Sequence, residues 1–366
     1  MNNKIDFIQG LRGIAVIMVV FYHGSRFLNP SGLYDAGLGK ELFGGMGSLG
    51  VVLFFIISGF IMTITTSRSD GSFRYFMEFC IKRITRVFPA YLIATLCIIL
   101  ATKHGLNFFS DHENTKSFLK SIFFIPHGEI TAPSFGFPVL PVGWTLNFEM
   151  YFYFIFGISL MFGKARWVVF FSFIALSLCA IPLISGNETS FESSVIYNFK
   201  SNMMHVITSP MIWNFAAGSL IGVIYLNRSY IKSHEFSWML VFASVSWVVI
   251  QYVSDYRVNH GVMGWGISLI PMFAILVIAS KTVDISLPKP LIYLGNISFS
   301  LYLWHPLSQE VLPRLAASSG IDSLRSGIPA FVSTFSLAVV LASISHFLVE
   351  RRLSEYLKVK GLKLLR

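Results

Sequence analysis

The sequence predicts an all-α, polytopic integral membrane protein with about ten transmembrane helices and both termini in the cytoplasm. Three observations predict it: the apolar balance of the chain, its long apolar runs and the uneven spread of its basic residues. Of 366 residues, 54% are hydrophobic and only 13% charged, and the mean hydropathy is +0.66. A soluble domain of this size and balance would be coated in apolar surface, so lipid is the solvent that fits it. Phe, at 36 residues, outnumbers the 7 Trp and 14 Tyr, a bias suited to lipid-facing helix rather than to a stacking platform. The net charge of +10 collects at the ends of apolar runs and forms no stripe along a soluble face. It reads as membrane orientation, with no nucleic acid partner.

A span takes about 20 mostly apolar residues at 1.5 Å each. Runs that meet this lie near residues 7–26, 47–66, 85–102, 144–162, 166–184, 207–226, 237–254, 262–280, 291–310 and 327–349. The first holds Arg12 and His23 and lacks a small-residue cleavage site, so it reads as a helix that stays rather than a removable signal peptide. The second, from Gly50 to Phe60, carries small residues that allow close backbone approach, which makes packing its better reading. The third opens at a basic end, with Lys82, Arg83 and Arg86 ahead of Pro89. The segment 103–143 is too apolar for a disordered loop and too broken for a span, which suggests an interfacial or partly re-entrant cap over a cavity. The fourth span holds Glu149 and the ninth a polar face, whereas the fifth to eighth carry no ionisable group except at their ends. The tenth ends in His346 and Glu350, read as facing headgroups or solvent, ahead of a basic tail from Arg351. The three cysteines, Cys80, Cys97 and Cys179, show no disulfide or zinc spacing, and no metal is expected.

Orientation follows from charge. With the N-terminus inside, the cytoplasmic side holds Lys4, Arg68, Arg74, Lys82, Arg83, Arg86, Lys164, Arg166, Arg228, Lys232, Lys281, Lys289 and six residues of the tail, 18 of the 28 basic residues. The opposite face holds nine: Arg26, Lys40, Lys103, Lys116, Lys120, Lys200, Arg257, Arg314 and Arg325. The positive-inside rule then favours two cytoplasmic termini. No fixed-period repeat or low-complexity linker divides the chain, so one membrane domain, 1–350, precedes the tail 351–366.

An ionisable group inside a span costs several kcal/mol and points to function. Arg12 and His23 are eleven residues apart, almost three whole turns, so they share a face roughly 16 Å apart along the axis. Arg12 falls near the cytoplasmic side and His23 near the outer side, which implies a site reaching through the membrane. The plain alternative is an arginine snorkelling to headgroups and a histidine at the interface. Glu149 lies at a depth like that of His23, with Thr145 one turn before it, so carboxylate and imidazole form a candidate general-base pair. A structural ion pair is the alternative. Ser298, Tyr302 and His305 stand at i, i+4 and i+7 on one face. His305 could bond a hydroxylated acceptor, line the donor path, or simply pack. Arg83 and Arg86, on one face beside a helix N-terminus, make an anion site suited to the phosphates of a nucleotide-bearing donor, or a plain topology signal.

These residues carry a resemblance. Leu11-Arg12-Gly13-Ile14-Ala15 followed by Phe21-Tyr22-His23, the stretch Gly50 to Phe60, Arg83-Ile84-Thr85-Arg86 with Pro89 and Tyr91, Gly143-Trp144-Thr145-Leu146 with Glu149, and Ser300-Leu301-Tyr302-Leu303-Trp304-His305-Pro306 occur in that order. The chain thereby resembles the acyltransferase-3 family of membrane acyltransferases. The resemblance implies ten helices, an acetyl- or other acyl-coenzyme A donor from the cytoplasm, and acceptors such as O-antigen, exopolysaccharide or other lipid-linked or polymeric envelope glycans in the bacterial inner membrane. It also implies functional roles for Arg12, His23, Arg83, Arg86 and Glu149. Val52 stands where an aspartate is common in the family.

The resulting expectation assigns catalysis to His23 and Glu149, donor binding to Arg12, Arg83 and Arg86, and acceptor binding to Trp144, Thr145, Tyr302 and His305. His23 either takes the proton of a sugar hydroxyl or briefly carries the acyl group. Succinyl transfer to a glucan or a small metabolite remains open, as does a glycan transporter or flippase using the same buried charges, although no inverted repeat is visible.

Overall fold

The computed structural model describes residues 3–29, 37–103, 105–227 and 230–365. Arg228, counted above among the cytoplasmic basic residues, lies outside the described residues, as do His104, Arg366 and the side chain of Lys4. Among the described residues every regular element is helical.

The first helix, α1 (Asn3–Gly24), runs into a short 3₁₀ turn and is followed by α2 (Gly37–Phe43) and α3 (Met46–Thr65). The 30-residue α4 (Phe73–Thr102) starts where the Ser72 hydroxyl accepts from the Tyr75 N–H, and it continues through Pro89. Beyond a 3₁₀ turn, α5 (His112–Ile122) is capped by Asp111, whose carboxylate accepts from the backbone of Glu113 and Asn114. There follow α6 (Trp144–Leu160), α7 (Arg166–Ala175), α8 (Ile181–Ile184), α9 (Asn202–Ile207), α10 (Ile212–Leu226), α11 (His234–Val253) and α12 (Gly266–Ala279). The C-terminal part holds α13 (Lys289–Asn296), α14 (Ser298–Ser318), α15 (Gly327–Ser345) and α16 (Ser354–Lys363), the last two joined by a π-helical stretch.

Seven helical stretches of the described chain are long and apolar enough to cross a membrane, not the ten expected: Asp6–Leu28, Leu38–Thr65, Phe73–Thr102, Gly163–Ile184, Asn202–Leu226, His234–Val253 and Gly327–Lys363. The other three expected spans correspond to shorter or more polar helices. The fourth begins only at Trp144 and has 17 residues. The eighth is a 14-residue helix. The ninth breaks at Ile297 into α13 and α14, and α14 carries His305, Gln309, Glu310 and Arg314 as well as Pro306 and Pro313. Of these, α6 and α12 are mostly buried among neighbouring helices, α14 buries most of its stretch from Ser298 to Gln309, and α13 buries only Gly295. Residues 351–363, expected as a separate tail, continue the last helix and pack against α4.

Burial separates core from lipid-facing helices. The apolar window of Leu38–Thr65 is 78% buried, whereas those of His234–Val253 and Gly327–Lys363 are 22% buried and turn Phe242, Trp247, Ile250, Val340 and Ile344 outward. The central α3 is gripped by α1 and α10. A Cβ on Gly59 would stand 2.2 Å from the Phe215 carbonyl oxygen, and one on Gly218 would stand 2.0 Å from that of Ile56, so α3 and α10 touch backbone to backbone. That is the packing role expected of the second span. The arrangement leaves α1, α3, α4, α6 and α14 around a polar interior.

Candidate functional site

The ionisable residues inside the bundle gather in two cavities. The first is lined by Arg12 of α1, Arg83 and Arg86 of α4, Glu149 and Tyr153 of α6, and Ser298 and Tyr302 of α14. Its remaining wall is apolar, from Val51, Phe54, Phe55 and Ile61 of α3 and Phe215 of α10. Three guanidinium groups therefore share one chamber with one carboxylate. Helical spacing explains the convergence: Arg83 and Arg86 are three residues apart, while Thr145, Glu149 and Tyr153 repeat every four along one face of α6. Arg12 donates to Gln9 Oε1 at 3.2 Å. Arg83 stacks against the rings of Phe79 and Tyr153, its guanidinium carbon 5.4 and 5.6 Å from their centroids, and its buried Nε has no hydrogen-bond partner. Glu149 accepts from the Tyr153 hydroxyl.

The second cavity is lined by His23, Arg26, His305, Gln309, Glu310 and Arg314 together with residues of the 103–143 segment: Lys103, Asn107, Phe108, Asn114, Val139, Pro141 and Val142. That segment walls a cavity, as its composition suggested. The imidazoles of His23 and His305 lie 5.0 Å apart between centroids, and His305 is fully buried with its Nε2 unpartnered. His23 Nδ1 is 2.9 Å from the Val19 carbonyl oxygen, one turn back, which orients the ring.

Between the two chambers stands Tyr302. Its hydroxyl lies 2.8 Å from Thr145 Oγ1 and donates to the Val142 carbonyl at 2.8 Å. Tyr302 and Thr145 face the first cavity, Val142 the second. This hydrogen-bonded partition stands between the arginines and the imidazoles.

Two expectations about partners are revised by this geometry. Glu149 shares the arginine chamber and bonds Tyr153, whereas His23 lines the other chamber, so the two do not form the pair that their similar depth suggested. Depth along a helix leaves open which way a side chain points around it. Glu350, expected to face headgroups or solvent, turns inward: it accepts from the Ser300 hydroxyl and from the Ser300 N–H at 3.2 Å, and lies 3.4 Å from His346 Nδ1. Trp144 lines neither chamber and packs edge-on against Phe148 and His260. Val52 is fully buried among apolar side chains.

Sequence reasoning passed over Tyr153 and the cluster of Arg26, Glu310 and Arg314. Tyr153 had a signal, its four-residue offset from Glu149. The cluster showed only the four-residue offset of Glu310 and Arg314, because Arg26 lies 284 residues from Glu310 in the chain.

The fold and its chambers define a polytopic membrane protein with ionisable groups gathered inside its helical bundle. The chain belongs to the acyltransferase-3 family, whose acyltransferase domain it matches over residues 5–346. It is 30% identical over 321 residues to the exopolysaccharide production protein ExoZ of Rhizobium meliloti (strain 1021), an alignment covering 84% of this chain and 89% of that one. It is 26% identical to nodulation protein 10 of Rhizobium leguminosarum bv. viciae over 82% of each chain. It is 25% identical to an O-acetyl transferase of Shigella phage Sf6 over 93% of each chain. No solved structure matches the chain.

Proposed function

We propose that the protein is a membrane-bound O-acyltransferase of the bacterial inner membrane that moves acetyl from acetyl-coenzyme A to a sugar hydroxyl of a surface polysaccharide, an O-antigen or exopolysaccharide. One observation carries the reading: a chamber with three arginines lies one hydrogen-bonded partition away from a chamber with two facing imidazoles. The names of the relatives, one an O-acetyl transferase and one an exopolysaccharide production protein, agree with it.

In this reading the first chamber takes the donor from the cytoplasm. Arg12, Arg83 and Arg86 bind its phosphates, and the unpartnered Arg83 Nε supplies a ready donor for a phosphate oxygen. The acceptor hydroxyl enters the second chamber. His23 takes the hydroxyl proton as the oxygen attacks the thioester carbonyl, the new C–O bond forms, and the C–S bond breaks. The imidazolium then returns the proton to the leaving thiolate, so no charge is left in the bundle. His305, next to His23, holds the acceptor or steadies the imidazolium. Tyr302 and Thr145 close the passage through which thioester and hydroxyl meet.

The test is a donor-binding and transfer assay on protein in nanodiscs, together with NMR of envelope glycans from cells with and without the gene. Alanine at both Arg83 and Arg86 weakens acetyl-coenzyme A binding by about a hundredfold, at roughly tenfold for each lost charge-assisted contact. Undiminished affinity in a well-folded double variant overturns the assignment of the donor chamber, and unchanged glycan acylation in cells without the gene overturns the function.

A further inference from the structure

We infer that the second chamber selects an acceptor carrying an oxyanion, a carboxylate or a phosphate, beside the hydroxyl to be acylated; the inference rests on the reading of this chamber as the acceptor site. Among the described residues, Arg26, Lys103 and Arg314 line it against one carboxylate, Glu310, so the lining carries more positive than negative charge even with Arg26 left out of the count. Glu310 is already shared, with Arg26 at 3.0 Å and Arg314 at 3.1 Å. Lys103 makes no ion pair among the described residues. Both arginines are also tied to the main chain, Arg26 to the Gln309 carbonyl at 2.7 Å and Arg314 to that of Thr102 at 3.2 Å. The cluster is thus held in place before any ligand arrives.

Membrane orientation does not account for these charges. In the topology proposed from the charge distribution this is the face poor in basic residues, with nine against eighteen, and three of the nine line this one chamber. A neutral sugar would cover the cations without replacing their water, which costs free energy. An acidic one supplies the missing counter-charge. Asn107 and Asn114 in the same wall offer amides for neighbouring hydroxyls. The oxyanion has two possible sources, an acidic sugar of the glycan or the diphosphate that links a glycan to its lipid carrier.

The experiment uses the full chain in zwitterionic nanodiscs and three probes: a uronate-containing oligosaccharide, its carboxyl-reduced neutral twin, and that neutral twin on a polyprenyl diphosphate. Equilibrium binding is measured first, then acetyl transfer. At low salt, binding of an anionic probe about tenfold tighter than that of the free neutral twin is expected, with the gap closing as salt rises. Which anionic probe gains tells the source. Lys103→Gln narrows the preference about threefold while donor affinity stays unchanged, and Arg314→Gln narrows it further. Lys103 is exposed, so its variant keeps the test decisive should Arg314→Gln fail to fold. Equal binding of all three probes overturns the inference even where transfer succeeds, which leaves the acyltransferase reading intact. Loss of the preference on adding anionic lipid also overturns it, since the cations then serve headgroups. Preferential binding without transfer to any probe supports the inference about charge and counts against the acyltransferase reading.

Discussion

At the scale of single residues, the two chambers assign separable jobs to side chains that the sequence presents as one constellation. Imidazole is the side chain that exchanges a proton near neutral pH without a large shift, and His23 lines the acceptor chamber rather than the arginine chamber. His23→Ala therefore abolishes transfer while acetyl-coenzyme A binding stays within about twofold; loss of donor binding in that variant would move His23 into the donor path. Glu149 behaves differently. Among the described residues it is the one carboxylate lining that chamber beside three guanidinium groups, so Glu149→Gln strengthens the positive field there. Donor binding should tighten about threefold at low salt, an effect that fades as salt screens it. The pH profile of transfer stays as it was, because the carboxylate does not touch the imidazole. A shifted profile with unchanged donor affinity would restore the pairing that depth alone had suggested. His23 and Arg12 were legible because a buried charge has few innocent explanations. The partner of Glu149 was legible only from its four-residue offset, because Tyr153 is one of several aromatic residues in that stretch.

At the scale of elements, α14 is where pattern reading and structure diverge most, and where the most informative break occurs. The window 291–310 averages to an apolar run, yet the chain breaks at Ile297, and the second helix carries Tyr302, His305, Glu310 and Arg314 to both chambers. A hydropathy window averages over such a break because it measures composition and not where hydrogen bonding restarts. The i, i+4, i+7 face of Ser298, Tyr302 and His305 was legible from spacing, but the hydrogen bonds of Tyr302 to Thr145 and to the Val142 carbonyl were not, as they join helices 157 and 160 residues apart. Those bonds make the partition. Tyr302→Phe keeps the ring and removes both, so the donor chamber opens more freely toward water in the acceptor chamber. Hydrolysis of acetyl-coenzyme A without acceptor should rise about fivefold, roughly the effect of 1 kcal/mol, while donor affinity stays unchanged. Thiol release measured without glycan checks this, and unchanged hydrolysis would show that the partition does not limit the passage.

At the scale of the whole molecule, the composition that announces a membrane protein also decides how its helices divide the work. Of the four helices that bring ionisable groups to the chambers, α6 and α14 are too short or too polar to qualify as spans whereas α1 and α4 qualify, and the helices that best face lipid, in His234–Val253 and Gly327–Lys363, line neither chamber. The count of ten exceeded seven for that reason: an interior helix shielded by its neighbours tolerates polar residues and brevity that a lipid-exposed span does not. Orientation is then the property on which the proposed route depends, since a cytoplasmic donor requires the arginine chamber to open on that side. From the two-to-one excess of basic residues we propose that both termini are inside and the 103–143 segment outside. Asn107, exposed on the wall of the second chamber, is the position to interrogate. In a background with Cys80, Cys97 and Cys179 replaced by serine, Asn107→Cys should react with a membrane-impermeant maleimide in intact spheroplasts, whereas Lys358→Cys on the last helix should react only after lysis. The reverse pattern would put the arginine chamber on the side without acetyl-coenzyme A, and a cytoplasmic donor could then reach the imidazoles only through the acceptor chamber.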